Sequence, residues 1–402
     1  MTPCAAPLDQ SEPSKIIFVC GISGTFKAFL EPQAKYLKKF GWIVDFACNA
    51  ERFSSDSINQ FHPLAIHRSG SVTAILIAAW QLRKILSEGK YGMIQFCTPV
   101  ASFVACLALI SMPVARRPIS IYSQWGIRYV AFSGLKRFFY KRIEHFVCAV
   151  ANVVQPDSYG NKVFAINERL VPESKIEVVG AGSAVGIELG SLPDRRTAFS
   201  GNKLRDELHL PRASIVFGFV GSIRADKGIN ELLLAFSKLC ESVSSDPCPV
   251  DVRLLLIGPV CEEDPVDSSL WSSAMLNSHV IHLGYRDDVN RYYAAMDCFV
   301  FPSYREGLGM ALLEAIGSAL PVVATRIPGP SELVIEGVTG WLVESKDVRD
   351  LSACLKNVLT KRHLLNDMGC SGRRLIASKY NRSCLLKKFL VNKREILTLH
   401  RC

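Results

Sequence analysis

The chain has 402 residues, of which 49% are hydrophobic and 21% charged, and carries a formal net charge of +10. That length and balance predict two or three globular domains with large buried sheets, and exclude a low-complexity chain or a small disulfide-stapled one. Fourteen cysteines are scattered through apolar runs (Cys20, Cys48, Cys97, Cys106, Cys148, Cys298) and read as reduced core thiols of a cytoplasmic protein, with no C-x2-C pair to suggest zinc.

Residues 1–14 (MTPCAAPLDQSEPS) lack a basic segment followed by an apolar core, so they read as a disordered leader rather than a signal peptide. The apolar run 16–20 predicts a strand, Gly21 and Gly24 a loop, 29–40 a helix and 42–47 a second strand. This βαβ unit places a glycine loop at a strand's carboxyl end, where open α/β sheets bind ligands. G-x-x-G suits a plain turn as well as an acceptor or diphosphate contact at Gly24.

The alternation continues with a helix over 72–86 and strands at 93–97 and 119–123. Between those strands the apolar run 100–115 is interrupted by Ser102, Ser111 and Pro113. It falls short of the roughly 20 residues a membrane span needs, and predicts a buried helix. Residues 1–197 hold 22 Lys plus Arg against 14 Asp plus Glu, so +8 of the surplus lies in this half. Lys136, Arg137, Lys141 and Arg142 interleave with Phe138, Phe139 and Tyr140 on a predicted helix. That face suits an anionic membrane surface or a buried aromatic stripe beneath a solvated basic face, and Arg116 and Arg117 would extend the patch toward a lipid diphosphate. No nucleic-acid-binding module accompanies the charge. A strand at 176–179 leads into GAGSAVGIELG, and the polar stretch 190–213 reads as a linker.

In the second half, strands are predicted at 215–221, 252–258 and 280–284, with a short helix before residue 298. Asp287 and Asp288 are expected to cap that helix, and no Asp-x-Asp metal motif is present. Then comes FVFPSYREGLGMALLEAIGSALPVVAT, residues 299–325. Its first three residues predict a strand end, 302–306 a loop, 307–318 a helix and 321–325 a buried parallel strand. Pro328 to Pro330, Gly337 and Gly340 read as turns. Glu306 and Glu314 bracket Gly307 and Gly309, which leave the amides of Leu308 and Met310 open to close approach. A helix start of that kind suits a pyrophosphate. At about 1.5 Å per residue, the two carboxylates lie roughly 10 to 12 Å apart, matching the hexose-to-ribose span of a nucleotide sugar.

The order strand, loop, Glu-Gly-x-Gly helix, strand, Gly-Pro loop, Glu-Leu-Val helix resembles the donor domain of retaining glycosyltransferases of the GT-B fold, family 4, over residues 215–343. The resemblance implies an α/β fold of two Rossmann-like parallel-sheet domains facing across a cleft. It implies a leader (1–14), an acceptor-side domain (15–189), a linker (190–213), a donor domain (214–379) and a final helix (380–402) returning to the first domain as the hinge for cleft closure.

By the same resemblance, Lys227 and Arg224 would neutralise a departing diphosphate, with Gly221 and the amides of Gly307, Leu308, Gly309 and Met310 beside them. Glu306 would orient the sugar and Glu314 the ribose. Tyr285 and Arg286 would border the nucleobase, and Ser183 with Gly186 would approach the donor across the cleft. Relatives commonly carry a His where this chain has Trp125, and an Arg where it has Ser222; Gly-x-Arg-Tyr after Trp125 resembles the acceptor segment of polysaccharide-assembling members.

The implied activity is sugar transfer, without metal or cofactor, from a nucleotide sugar, UDP-linked by resemblance. The acceptor would be a glycan or polyprenyl-diphosphate-linked glycan, in capsule or exopolysaccharide synthesis at the cytoplasmic face of the plasma membrane. A nucleotide-sugar epimerase and an inactive scaffold subunit are the alternatives, the latter because Trp125 and Ser222 depart from the pattern. A dehydrogenase would need Gly-x-Gly-x-x-Gly, which GISGTF does not supply.

Overall fold

The computed structural model describes residues 14–66, 71–194, 198–245 and 250–400. Most of the 1–14 leader and residues 195–197 of the linker lie outside the described residues. Among those described, twelve strands form two six-stranded sheets in which every pairing is parallel. The first holds β1 (Lys15–Val19), β2 (Ile43–Cys48), β3 (Gln60–Pro63), β4 (Met93–Phe96), β5 (Ile119–Gln124) and β6 (Val153–Pro156). The second holds β7 (Ile215–Val220), β8 (Val252–Ile257), β9 (Val280–His282), β10 (Cys298–Phe301), β11 (Val322–Thr325) and β12 (Gly340–Val343). Their orders, β3-β2-β1-β4-β5-β6 and β12-β11-β10-β7-β8-β9, are the same doubly wound arrangement. Each therefore has a switch point, at β1/β4 and at β7/β10, where a ligand crevice opens beyond the strand ends. The predicted α/β architecture of two Rossmann-like domains is present.

Helices cover both faces of each sheet, so strands read as apolar runs whose alternate residues enter opposite cores. Ile17, Val19, Ile94 and Phe96 pack on one side of the first sheet, and Ile16, Phe18, Val44 and Phe46 on the other. Burying one such side chain stabilises the fold by about 1.5–3 kcal/mol. The six cysteines read as core thiols are all buried.

Several local expectations are corrected. Residues 176–179 form no strand: Glu177 N–H donates to Val154 O at 3.0 Å, but the next parallel position faces Pro156, which has no N–H to give. The short strands β3 and β6 escaped the sequence reading. Gly340 opens β12 instead of making a turn, and the expected Glu-Leu-Val helix is a single turn that starts earlier, at Pro330, and ends at Leu333. The predicted 307–318 helix is shorter, Met310–Gly317, because Gly309 holds φ at +92°. Asp288 stands at the start of the 3-10 segment Val289–Ala295 but its side chain makes no cap bond; it pairs with Arg291, while Asp287 accepts from the Tyr285 hydroxyl.

Within 190–213, Ala198–Glu207 is helical, and Arg205 staples it to the second sheet through Asp297 (2.5 Å) and the Ala295 carbonyl (3.0 Å). The Arg382–Leu399 helix sends Leu390, Ile396 and Leu397 into the first domain's core. The two chain crossings between the domains run side by side: Ile187 N–H donates to Tyr380 O (2.8 Å) and Arg382 N–H to Ile187 O (2.9 Å).

Candidate functional site

At the second sheet's switch point, β7 ends at Gly221 and β10 ends in a loop from Pro302 to Gly309. Thr325 Oγ1 at the end of β11 donates to Ser303 O at 2.5 Å, and Tyr304 N–H donates to Asp226 O at 2.9 Å, so the two loops lie together. This contact requires Gly228, at φ +70°, because a Cβ there would strike the Pro302 carbonyl. Lys227 Nζ donates to Glu306 Oε1 at 2.5 Å, with 25% and 14% of the two side chains exposed. The predicted cation and the predicted sugar-orienting carboxylate are thus brought into one charge-assisted bond.

Arg224 is held differently, by Asp226 at 2.6 Å and Asp264 at 3.4 Å, and Asp226 also takes Arg305 at 2.8 Å. Asp226 and Arg305 were missed in the sequence, although both lie inside the motifs that pointed to Lys227 and Glu306.

Glu314 lies on the Met310–Gly317 helix with its carboxylate accepting from the Tyr293 hydroxyl at 3.0 Å. Burial holds its pKa above the usual carboxylate range, against the opposing pull of that hydroxyl and of Arg382. Tyr285 and Arg286 are exposed on the loop after β9. Gly24 lies in the turn Ser23–Thr25 beyond β1, while Gly21 N–H donates to the Thr98 hydroxyl at 3.1 Å across the first switch point.

The first domain closes onto this loop. Asn161 Nδ2 donates to Gly307 O at 2.6 Å and to Glu306 O at 3.1 Å. Ser183 Oγ lies 3.4 Å from Met310 Sδ and accepts from Gly186 N–H at 2.9 Å, so two more predicted residues share the seam. Glu332 reaches across to the start of the Tyr159–Asn167 helix, accepting from the amides of Gly160 (2.5 Å) and Tyr159 (3.0 Å). A carboxylate there satisfies orphan amides and meets the positive end of the helix.

Asp157, also unread in the sequence, sits directly on Gly307, where any Cβ would collide with its carboxylate. Burial, with the charges of Glu306 and Glu332, raises its pKa to about 8; the amides of Asp157 and Leu308 pull the other way. A carboxyl group of the protein therefore already faces the amide segment read as the diphosphate cradle. Trp125 packs 5.2 Å from the Phe29 ring at the same seam.

Two family models match this chain. One, described as "Glycosyl transferases group 1", covers residues 201–375, and the other, "Glycosyl transferase 4-like", covers residues 18–157. The chain is a glycosyltransferase of the GT-B fold. This glycosyltransferase is 28% identical to the capsular polysaccharide biosynthesis glycosyltransferase CapM of Staphylococcus aureus, over 87% of this chain and 89% of CapM. It is 25% identical to the UDP-Gal:alpha-D-GlcNAc-diphosphoundecaprenol alpha-1,3-galactosyltransferase of Escherichia coli, over 82% of each. In fold it is similar to sucrose-phosphate synthase from Thermosynechococcus elongatus, with a TM-score of 0.80 at 17% identity, covering 96% of this chain and all of that one.

Proposed function

We propose that this glycosyltransferase takes a sugar from a nucleotide diphosphate, UDP in the first instance. It would pass that sugar, with retention of anomeric configuration, to a glycan or polyprenyl-diphosphate-linked glycan during cell-surface polysaccharide synthesis. The observation that carries the reading is the Lys227–Glu306 pair at the β7/β10 switch point, beside the amides of residues 307–310. A diphosphate entering there would exchange places with carboxylates. Lys227 would leave Glu306 for the phosphate, and the Leu308 amide would leave Asp157. Released from the ammonium, Glu306 is free to accept from sugar hydroxyls.

As the glycosidic bond breaks, negative charge grows on the diphosphate, and donors fixed in advance stabilise it more than mobile water does. Lys227 and the amides supply those donors. Arg224 supports them through Asp226, which fixes the Lys227 loop. The leaving phosphate accepts the acceptor's proton, and no side chain is assigned as general base. The names of the curated relatives support the polysaccharide role, and the E. coli relative's name supports both UDP and a diphospholipid acceptor.

An anionic membrane surface is the proposed meeting place. The Gly134–Val150 helix exposes Leu135, Phe138 and Phe139 by 88%, 61% and 61% among Lys136, Arg137 and Arg142, and the Val72–Gly89 helix exposes Val72, Leu76, Ile77 and Trp80. Among the described residues no helix is long and apolar enough to cross a membrane. Incubating the enzyme with a panel of nucleotide sugars and membrane lipid extract, followed by mass spectrometry, tests the proposal. A lipid-linked product one sugar heavier is expected; donor isomerisation or hydrolysis without transfer would refute it.

A further inference from the structure

The loops after β7 and β10 meet through neighbouring residues of opposite charge. Asp226 and Lys227 stand side by side on the first loop, and Arg305 and Glu306 side by side on the second. Arg305 Nη2 donates to Asp226 Oδ2 at 2.8 Å, and Lys227 Nζ to Glu306 Oε1 at 2.5 Å. The order of charges is reversed from one loop to the other, so two ion pairs tie the same two loops.

The two ties are built differently. Lys227 brings a point charge on a flexible stem, a contact that another anion can take over. Asp226, 8% exposed, is held through main chain and side chain together. Its N–H donates to Asp264 Oδ2 at 2.9 Å, its carbonyl accepts from Tyr304 N–H at 2.9 Å, and its carboxylate takes Arg224 as well as Arg305. Tyr304, next to Arg305, anchors the second loop again: its hydroxyl donates to Glu231 Oε2 at 2.6 Å on the Ile229–Ser244 helix, and Lys346 Nζ lies 4.7 Å from its ring centre. Planar guanidinium groups on a buried carboxylate, backed by main-chain bonds, resist such exchange.

We propose that Arg305 is a positioning residue for sugar transfer: its bond to Asp226 keeps the two loops at one spacing while the substrate draws Lys227 away from Glu306. The inference rests on the transferase reading and concerns the same site. Donors stabilise developing charge only where they stay fixed, and a misplacement of about 1 Å can lower the rate about 10²-fold. One ion pair is therefore free to work because the other holds. Arg305 Nε–H is buried without a hydrogen-bond partner, so a direct bond from Arg305 to the diphosphate is the rival role. The two roles differ in what they do to nucleotide affinity.

The experiment compares the full chain with Arg305→Gln and Arg305→Lys, each checked by its thermal unfolding midpoint, with UDP as the nucleotide probe. Arg305→Gln should lower kcat about 10- to 100-fold and leave the UDP Kd within about two-fold. Arg305→Lys, which keeps a cation for Asp226, should stay within about three-fold of wild type. In a Lys227→Ala background, Arg305→Gln should lower the rate by less than about two-fold more, because its effect runs through Lys227. A readout independent of turnover is the rate at which acetic anhydride labels the Lys227 amine, followed by mass spectrometry. With no nucleotide added, Arg305→Gln should label at least about three-fold faster than wild type, its loop being less firmly held. Should Arg305→Gln fail to fold, Asp226→Asn removes the same pair from its other side and is judged by the same ratios. An unchanged kcat or unchanged labelling overturns the proposal, and so do losses that multiply fully in the double variant. A UDP Kd raised about ten-fold with kcat kept would make Arg305 a diphosphate ligand and overturns it too. Failure of the transferase reading is separate: wild type then consumes no nucleotide sugar, while the labelling rates still decide whether Arg305 holds Lys227 in place.

Discussion

The two domains share one strand order but meet at walls of opposite character. The wall at the β7/β10 switch point is ionic, with Lys227 on Glu306 and both Arg224 and Arg305 on Asp226. The facing wall, at the carboxyl ends of β4, β5 and β6, carries the buried carboxamides of Gln33, Gln95 and Gln155 beside Asp157, whose carboxyl holds its proton up to about pH 8. The same scaffold thus presents two electrostatic environments through the residues at its strand ends.

That contrast can be broken at its ionic end first. Glu306→Ala and Lys227→Ala should each lower kcat/KM at least about 10²- to 10³-fold, read as product formed from the nucleotide sugar. Wild-type turnover by the Glu306 variant would remove its role. Glu314→Ala should act on binding, raising the donor KM about ten-fold with kcat nearly kept, as measured by nucleotide titration and initial rates.

The basic-aromatic helix gives a third, smaller effect. Lys136→Glu combined with Arg137→Glu should weaken sedimentation with anionic vesicles several-fold, and leave neutral vesicles unaffected. Equal binding to both vesicle types would exclude an electrostatic contribution.

The seam gives a pH signature. The buried Asp157 carboxyl keeps its proton up to about pH 8, whereas a solvated aspartate loses it near 3.8. The folded, closed form therefore holds more protons across that window, and its stability falls as pH rises from about 4 to about 8. Asp157→Asn should flatten this contribution, seen as a smaller change in unfolding midpoint between pH 5 and pH 9. The smallest expected change is none: EDTA should leave the transfer rate within experimental scatter, and loss of activity restored by a divalent cation would overturn the metal-free reading.

The site at the β7/β10 switch point was legible because its signals are local in the chain. Glu306, Gly307, Gly309 and Glu314 follow one strand, and Lys227 follows another, each within a few residues of an apolar run. Asp157 and Glu332 were not legible in their roles, since Asp157 matters only where it meets Gly307 and Glu332 only where it meets Gly160, 172 residues away in the chain. The glutamines were hidden for a different reason. Gln95 and Gln155 lie inside strands and Gln33 inside the Glu31–Lys39 helix, where a single buried carboxamide leaves no periodicity of its own. The false strand at 176–179 shows the reverse error: Ile176, Val178 and Val179 have the right pattern, but Pro156 opposite them ends the ladder.

The paired crossings at Ile187 and Tyr380–Arg382 have a mechanical consequence. Two chain segments tied by reciprocal backbone bonds behave as a flat strap, which bends across its width but resists sliding and twisting. A scissor-like parting of the halves about that strap is the motion such a tie leaves open.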